Sequence, residues 1–367
     1  MENFANAILQ TPPQPLTSDN MTSALESLGA RFTDYLSDLW QQPCLLKAIS
    51  QIPGGASRET YRLTVERGDE IQQLIARRDP PSSLIDTERA WEYRTYEAVY
   101  NHGCVPVPEP IVLEENPGAL ERPFSIMRAV TAGQATPAGL EESEMTPHLA
   151  QLGHTKWHHL GQLARIQPAE LGVDAFMPTP EHAAKRELDY WRAVIDTDSL
   201  HPHPVAQAAL RWLERHMPPP SLTLCLVHGD YRTGNYLYTD EGKITAVLDW
   251  EMAHIGDPLE DLAWSLDPLW SNDPNIAGRL LPREEAIAIW EQSSGMRVDR
   301  EAFRWWQIFA SVKALAIWIS SVEDYANGST KEPILAIAGW PMMDRQTRIL
   351  IDRLADDGQS SYAEPLV

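Results

Sequence analysis

Between residues 222 and 251 the chain passes from one short apolar run to another and crowds oxygen-bearing side chains around them. Leu222, Leu224, Leu226 and Val227 read as one strand and residues 244–248 as a second, each ending where polar residues begin. Val227-His228-Gly229-Asp230-Tyr231-Arg232-Thr233-Gly234-Asn235 follows the first run, and Asp249-Trp250-Glu251 follows the second. Tyr236-Leu237-Tyr238 is expected to pair with the second run as a hairpin that turns through Asp240-Glu241-Gly242-Lys243. Asp230, Asn235 and Asp249 then gather at one end of a small sheet. Two carboxylates and an amide oxygen suit a hard cation such as Mg2+, which prefers oxygen and often holds substrate phosphates. One carboxylate is left to accept a hydroxyl proton.

The parts upstream are those of a strand-rich lobe. Residues 1–21, with Pro12, Pro13 and Pro15, read as a loose arm, and residues 22–40 as a helix through Leu25, Leu28, Phe32, Tyr35, Leu36 and Leu39. A strand over 45–52 breaks at Pro53-Gly54-Gly55-Ala56-Ser57 and resumes over 60–65. Such a turn either merely reverses the chain or lets backbone N–H groups approach a phosphate, with the Ser57 hydroxyl beside them. A third strand over 71–78 ends in Arg77-Arg78, and a helix over 87–99 carries Glu88 and Glu92 one turn apart. A strand cation facing a helix carboxylate would hold nucleotide phosphates; two exposed charges without mutual contact are the alternative. Strand alternation allows only one of Arg77 and Arg78 to face a nucleotide. An extended segment begins at 105–110, and residues 123–130 read as a further strand.

From residue 147 onward helical patterns dominate, over 149–166, 182–195, 205–216, 282–295, 300–325 and 341–354. The expected division is an N-lobe over 22–130 and a C-lobe over 131–367. Asp257 and Pro258 mark a helix entry as cap and first residue. His154 and His158 stand one turn apart, yet no acidic or cysteine ligand accompanies them at useful spacing, so a solvated helix face is the reading. The thirteen tryptophans are assigned mostly to helix packing.

Thirty Lys and Arg against fifty-two Asp and Glu give a net charge of −22, which argues against nucleic acid or an anionic membrane as partner. Cys44, Cys104 and Cys225 form neither a disulfide framework nor a zinc spacing. With no apolar leader or membrane-length run, the expectation is a cytoplasmic protein.

Glycine turn, strand Arg, helix Glu, helical lobe, His-Gly-Asp-x-x-x-x-Asn and Asp on the next strand is the order of the protein-kinase-like enzymes. The chain resembles the aminoglycoside phosphotransferase branch of that superfamily. The stretch Leu248-Asp249-Trp250-Glu251 with Gly256-Asp257-Pro258-Leu259-Glu260-Asp261-Leu262-Ala263-Trp264 is especially similar to the kinase-like domain joined to acyl-CoA dehydrogenase domains, and to its stand-alone bacterial relatives. The resemblance implies an α+β, two-lobed protein-kinase-like fold, with an antiparallel sheet plus a helix in the N-lobe and a mainly helical C-lobe. It implies Asp230 as the base for a substrate hydroxyl, Asn235 and Asp249 as Mg2+ ligands, and Gly54, Gly55, Ala56 and Ser57 near the phosphates of ATP. Arg77 takes the place of the phosphate-binding cation and Glu92 that of its partner, while the backbone around Met127, Arg128 and Val130 holds adenine. Ala164 stands where relatives commonly carry His, a departure that bears on one local contact. The implied activity is transfer of a γ-phosphate to a hydroxyl of a small molecule. The acceptor is a hydroxy acid or hydroxyacyl thioester, or an antibiotic such as an aminoglycoside or macrolide. A nucleotide-binding pseudokinase or regulatory module is the alternative.

Overall fold

The computed structural model describes residues 18–52, 59–79, 89–134, 147–271, 273–329 and 333–355. Gly54, Gly55, Ala56 and Ser57 lie outside the described residues, as do residues 1–17 of the expected arm. Backbone contacts divide the chain into two compact units, residues 1–81 with 111–129, and residues 82–110 with 130–367. No helix among the described residues is long and apolar enough to cross a membrane.

The first unit is a helix on a sheet. Helix α1 (Ser18–Trp40) is followed by β1 (Cys44–Ile52), β2 (Glu59–Arg67) and β3 (Glu70–Arg78), and after an excursion into the second unit by β4 (Pro110–Glu114) and β5 (Phe124–Arg128). The strand order is β1-β2-β3-β5-β4, with β1, β2, β3 and β5 antiparallel in succession. Alternation decides the buried face: Tyr61, Leu63 and Val65 of β2, Leu74 and Ala76 of β3, and Phe124 and Ile126 of β5 point into one core. Leu28, Phe32 and Leu36 of α1, spaced by four, close that core from one side. Phe124 meets the rings of Phe32 and Tyr35 edge-on.

In the second unit, α2 (Arg89–His102) precedes a series of helices and, among the described residues, three small antiparallel ribbons. Helices α3 (Pro147–Ala164), α4 (Pro168–Leu171), α5 (Ala183–Asp198) and α6 (Pro204–Arg215) come first. Then β6 (Cys225–Val227) pairs with β9 (His254–Gly256), and β7 (Tyr236–Tyr238) pairs with β8 (Ile244–Val247). The β7–β8 hairpin is the expected one, but β6 finds its partner in a strand that the apolar runs did not reveal. After α7 (Pro258–Ser265), the short ribbon of β10 (Ile276–Ala277) and β11 (Leu281–Pro282) leads to α8 (Arg283–Ser294), α9 (Arg300–Asn327) and α10 (Pro333–Ala355). Helix α9 is buried on nearly every side between Phe303 and Ile319, because α5, α6, α7 and α10 pack around it. Helix α10 begins well before the expected residue 341 and carries Pro341 in its interior.

The helix that bears Glu92 clusters with the second unit because Tyr96 bonds the backbone of Asp249 and packs edge-on near Trp250. Elsewhere in this unit, α3 and α8 approach closely at Gly161, where a Cβ would lie 1.9 Å from Ser293 Oγ and 2.8 Å from the Trp290 carbonyl oxygen. The serine can rotate but the carbonyl is fixed in α8. Gly161→Ala is therefore expected to destabilise the protein by about 1–3 kcal/mol, despite alanine's better helix propensity, and thermal unfolding beside a control Gly118→Ala checks it.

Candidate active site

Strand β6 ends at Val227, and the next three residues are fixed through both backbone and side chains. Asp261 of α7, itself buried, accepts the N–H groups of His228 (2.6 Å to Oδ2) and Gly229 (3.0 Å to Oδ1). Helix α7 is set for this by its own start, where Asp257 caps the N–H of Leu259 at 2.8 Å and Pro258 occupies the first turn. Burial pushes the Asp261 carboxyl upward, with His228 opposing. Gly229 adopts φ +85°, and a Cβ there would come within 2.5 Å of the Met252 carbonyl oxygen, so glycine alone fits.

His228 is a linker rather than a base. Its Nε2 lies 2.8 Å from the Leu248 carbonyl oxygen and must donate to it, which leaves Nδ1 to accept the Asp230 N–H at 3.1 Å. The imidazole, fully buried, thereby ties the loop after β6 to the end of β8.

Asp230 is the convergence point. Its Oδ1 accepts the indole N–H of Trp264 at 2.8 Å, and its Oδ2 accepts Asn235 Nδ2 at 2.7 Å and Arg232 Nε at 3.1 Å. A carboxylate has about four acceptor positions, so these three donors leave room for one more. With its amide nitrogen also 3.0 Å from the Asp230 carbonyl oxygen, Asn235 turns its amide oxygen away from that carboxylate. The carbonyl of Asn235 accepts the Leu248 N–H at 2.8 Å, and Asp249 is the next residue along the chain. Asp249 sits in the left-handed region at φ +68°, ψ +58°, and its N–H donates to the Tyr96 hydroxyl at 2.8 Å. A non-glycine residue held there is a strained position of the kind that gathers at functional sites. An amide oxygen and a carboxylate form a hard oxygen donor set, which fits Mg2+.

Two buried lysines flank this loop. Lys313 of α9 donates to the Gly229 carbonyl at 2.7 Å and to Glu260 Oε1 at 3.1 Å. Burial alone would discharge it, but Glu260, Glu187 and Asp261 outweigh burial and hold its ammonium above the ordinary range. Glu260 in turn receives His254 Nε2 at 3.1 Å, and these two with Glu187 are the acid and imidazole groups close enough to share an ion among the described residues. Lys313 already supplies the cation beside them. Lys156 of α3 lies under Thr233, with Nζ 3.3 Å from its Oγ1 and 4.6 Å from the Trp157 ring centroid. Burial draws its ammonium down to about 7, Arg232 adds to that, and Asp230 resists.

The remaining expected residues lie as follows. In the first unit, Arg77 is opposite Ser125 and Met127 opposite Ile75 in the β3–β5 ladder, with Arg128 exposed at the strand end. Arg78 shares the face of Leu74 and Ala76 and is committed there. It donates to Glu59 Oε2 at 2.7 and 3.0 Å, to the Leu120 carbonyl at 3.3 Å, and stacks 5.7 Å from the Tyr61 centroid. Arg77 points to the other face. In the second unit, Glu92 is buried on α2 and Val130 begins the segment after the β5 ladder. His154 and His158 stack at 6.1 Å on α3. Sequence reasoning missed Trp264, Lys313, Lys156 and Tyr96. Lys313 had a readable signal, as the one charge in the run from Ile308 to Ala316.

Residues 48–306 match the model of the phosphotransferase enzyme family. Among curated proteins, acyl-CoA dehydrogenase family member 11 of Gallus gallus is 27% identical over 243 residues, covering 65% of this chain and 30% of that protein. The Homo sapiens protein of that name is 27% identical over 252 residues, 67% of this chain and 31% of its own length. The chain thus spans about a third of these relatives. Among solved structures, a chain from Ralstonia eutropha JMP134 described as an aminoglycoside phosphotransferase superposes with a TM-score of 0.69 at 19% identity, over 88% of this chain and 98% of that one. The macrolide 2′-phosphotransferase of Brachybacterium faecium gives 0.57 at 16%, over 85% and 97%. A thermostable mutant of an aminoglycoside phosphotransferase, in ternary complex with AMP-PNP and hygromycin B, gives 0.55 at 17%, over 87% and 98%. With the two-part α+β architecture, the His-Gly-Asp loop and a family match over more than half its length, the chain belongs to the phosphotransferase enzyme family and, with it, to the small-molecule kinases.

Proposed function

We propose that the protein transfers the γ-phosphate of ATP, with Mg2+, to a hydroxyl group of a small molecule. The observation that carries this reading is the Asp230 carboxylate, held by three donors with one acceptor position left and 16% of its side-chain surface exposed. A substrate hydroxyl is the donor that position fits. Asp230 would take the hydroxyl proton as the oxygen attacks phosphorus, and ADP would leave.

Asn235, through its amide oxygen, and Asp249 would hold Mg2+, which when bound neutralises charge on the phosphates. Arg77 is the arginine assigned to the phosphates, since Arg78 is already used within the sheet. Arginine offers a planar fork that is charged at all working pH values, which suits phosphate oxygens. Glu92 is assigned as its partner, Gly54, Gly55, Ala56 and Ser57 to the phosphates, and the backbone of Met127, Arg128 and Val130 to adenine. The chemistry would then rest on positioning and charge more than on covalent help.

Two acceptor classes follow from the relatives. Likeness to acyl-CoA dehydrogenase family members supports a hydroxy acid or hydroxyacyl thioester, and the fold neighbours support an antibiotic. The discriminating experiment is Mg2+-dependent ADP release against panels of hydroxy acids, their thioesters, aminoglycosides and macrolides, with Asp230→Asn beside wild type. One panel is expected to raise turnover, and Asp230→Asn to lower it by roughly 100- to 10,000-fold. Nucleotide binding without acceptor-stimulated release would replace the kinase reading by a silent nucleotide-binding module. In the same assay Arg77→Ala is expected to raise the KM for ATP at least several-fold. Arg78→Ala is expected to lower the unfolding temperature and leave that KM near wild type, because its partners Glu59, Tyr61 and Leu120 lie within the first unit; the reverse result would exchange the two assignments.

A further inference from the structure

Trp264 is the least expected of the groups that touch Asp230. It is the penultimate residue of α7, is 2% exposed, and its indole N–H points at Asp230 Oδ1 rather than at a backbone carbonyl. The ring is fixed from two directions. Lys313 Nζ lies 5.1 Å from its centroid, and Trp270 packs against it at 5.2 Å, with the Arg232 guanidinium 5.3 Å from the Trp270 centroid. A cation near an indole face draws electron density from the ring and makes its N–H a better donor. The same Lys313 bonds the Gly229 carbonyl, so one buried ammonium acts on both the backbone and the side-chain support of Asp230.

We propose that Trp264 is a positioning residue for phosphoryl transfer: its indole N–H, with Lys313 beside the ring, fixes Oδ1 of Asp230 and so sets which acceptor position remains for the substrate hydroxyl. The inference rests on the reading of Asp230 as base. Arg232 and Asn235 share the other carboxylate oxygen, so without Trp264 the carboxylate keeps two donors on Oδ2 and loses its only described restraint on Oδ1. Rotation about the bond to the carboxyl group would then spread its orientation. A general base must meet its proton within hydrogen-bond reach, and loss of that alignment lowers the rate of the chemical step more than it lowers binding.

Two measurements test this. Trp264→Phe keeps an aromatic ring against Trp270 and Lys313 but removes the N–H. With the acceptor found by the ADP-release panel, it is expected to lower kcat roughly 10- to 100-fold while leaving the KM for ATP within about twofold. A residue needed only for packing would instead lower the unfolding temperature and leave kcat per folded molecule unchanged, and that result overturns the proposal. In the indole 1H–15N spectrum of the protein labelled on tryptophan, one of the thirteen resonances is expected to shift upfield and lose protection from solvent exchange in Asp230→Ala. An indole spectrum untouched by Asp230→Ala overturns the contact, and this arm needs no folded Trp264→Phe. Failure of the kinase reading looks different: no acceptor raises wild-type turnover above Asp230→Asn while the indole response persists, and the positioning role then falls with that reading.

Discussion

The carboxylate of Asp261 takes the N–H groups of His228 and Gly229 inside the protein, where neither could find water. Without that acceptor, two buried backbone donors would be left unsatisfied, at about 1–3 kcal/mol each. Such a cost makes one loop path much better than its alternatives, and Asp230 is the next residue along that path. His228 extends the constraint to the end of β8 through its ring, and Leu248 passes it to Asn235 through the backbone. Asp230, Asn235 and Asp249 are thus placed by a chain of bonds that starts from one side chain on α7.

Behind the loop lies a buried ionic network, in which Lys313 bridges Gly229 and Glu260 while His254 joins Glu260 to Glu187. Its members depend on one another: Glu260 is driven well below the ordinary carboxylate range by His254 and Lys313 despite burial, and Lys313 is driven up by Glu260 despite the same burial. Replacing such a network by apolar groups can be neutral for stability, but removing one partner leaves a buried charge alone. What it adds here is a carbonyl of Gly229 with a fixed donor, complementing the fixed acceptor for its N–H. The loop is held from above and below.

Much of this was legible in the sequence, because the informative residues are local. The spacing of Asp230, Asn235 and Asp249, the β7–β8 hairpin and the capped start of α7 follow from neighbours a few positions apart. Elements whose identity depends on distant partners were harder to read. Strand β6 pairs with β9, which is three residues long with Ile255 as its one large apolar residue, so no apolar run announced it. In helix α2 the sequence drew attention to Glu92, whereas the Tyr96 hydroxyl serves Asp249, 153 residues later. Trp264 read as a packing residue, since an indole N–H declares no partner until the fold supplies one. The glycine turn at 54–57 lies outside the described residues.

The pair Arg77-Arg78 shows how structure settles what alternation leaves open. Alternation requires opposite faces but gives no absolute direction, and the direction comes from β2. Tyr61, in register with Ala76, faces the core with Leu74, so Arg78 follows that face to the rim, where Glu59 and the Leu120 carbonyl receive it. Glu59 is held below its ordinary range by Arg78, against the burial that would raise it, so the pairing is mutual. An arginine bound in this way has little freedom to meet a phosphate. Its neighbour Arg77 points to the other face with Ile75 and Gln73, which is why the proposal gives the phosphate role to that residue.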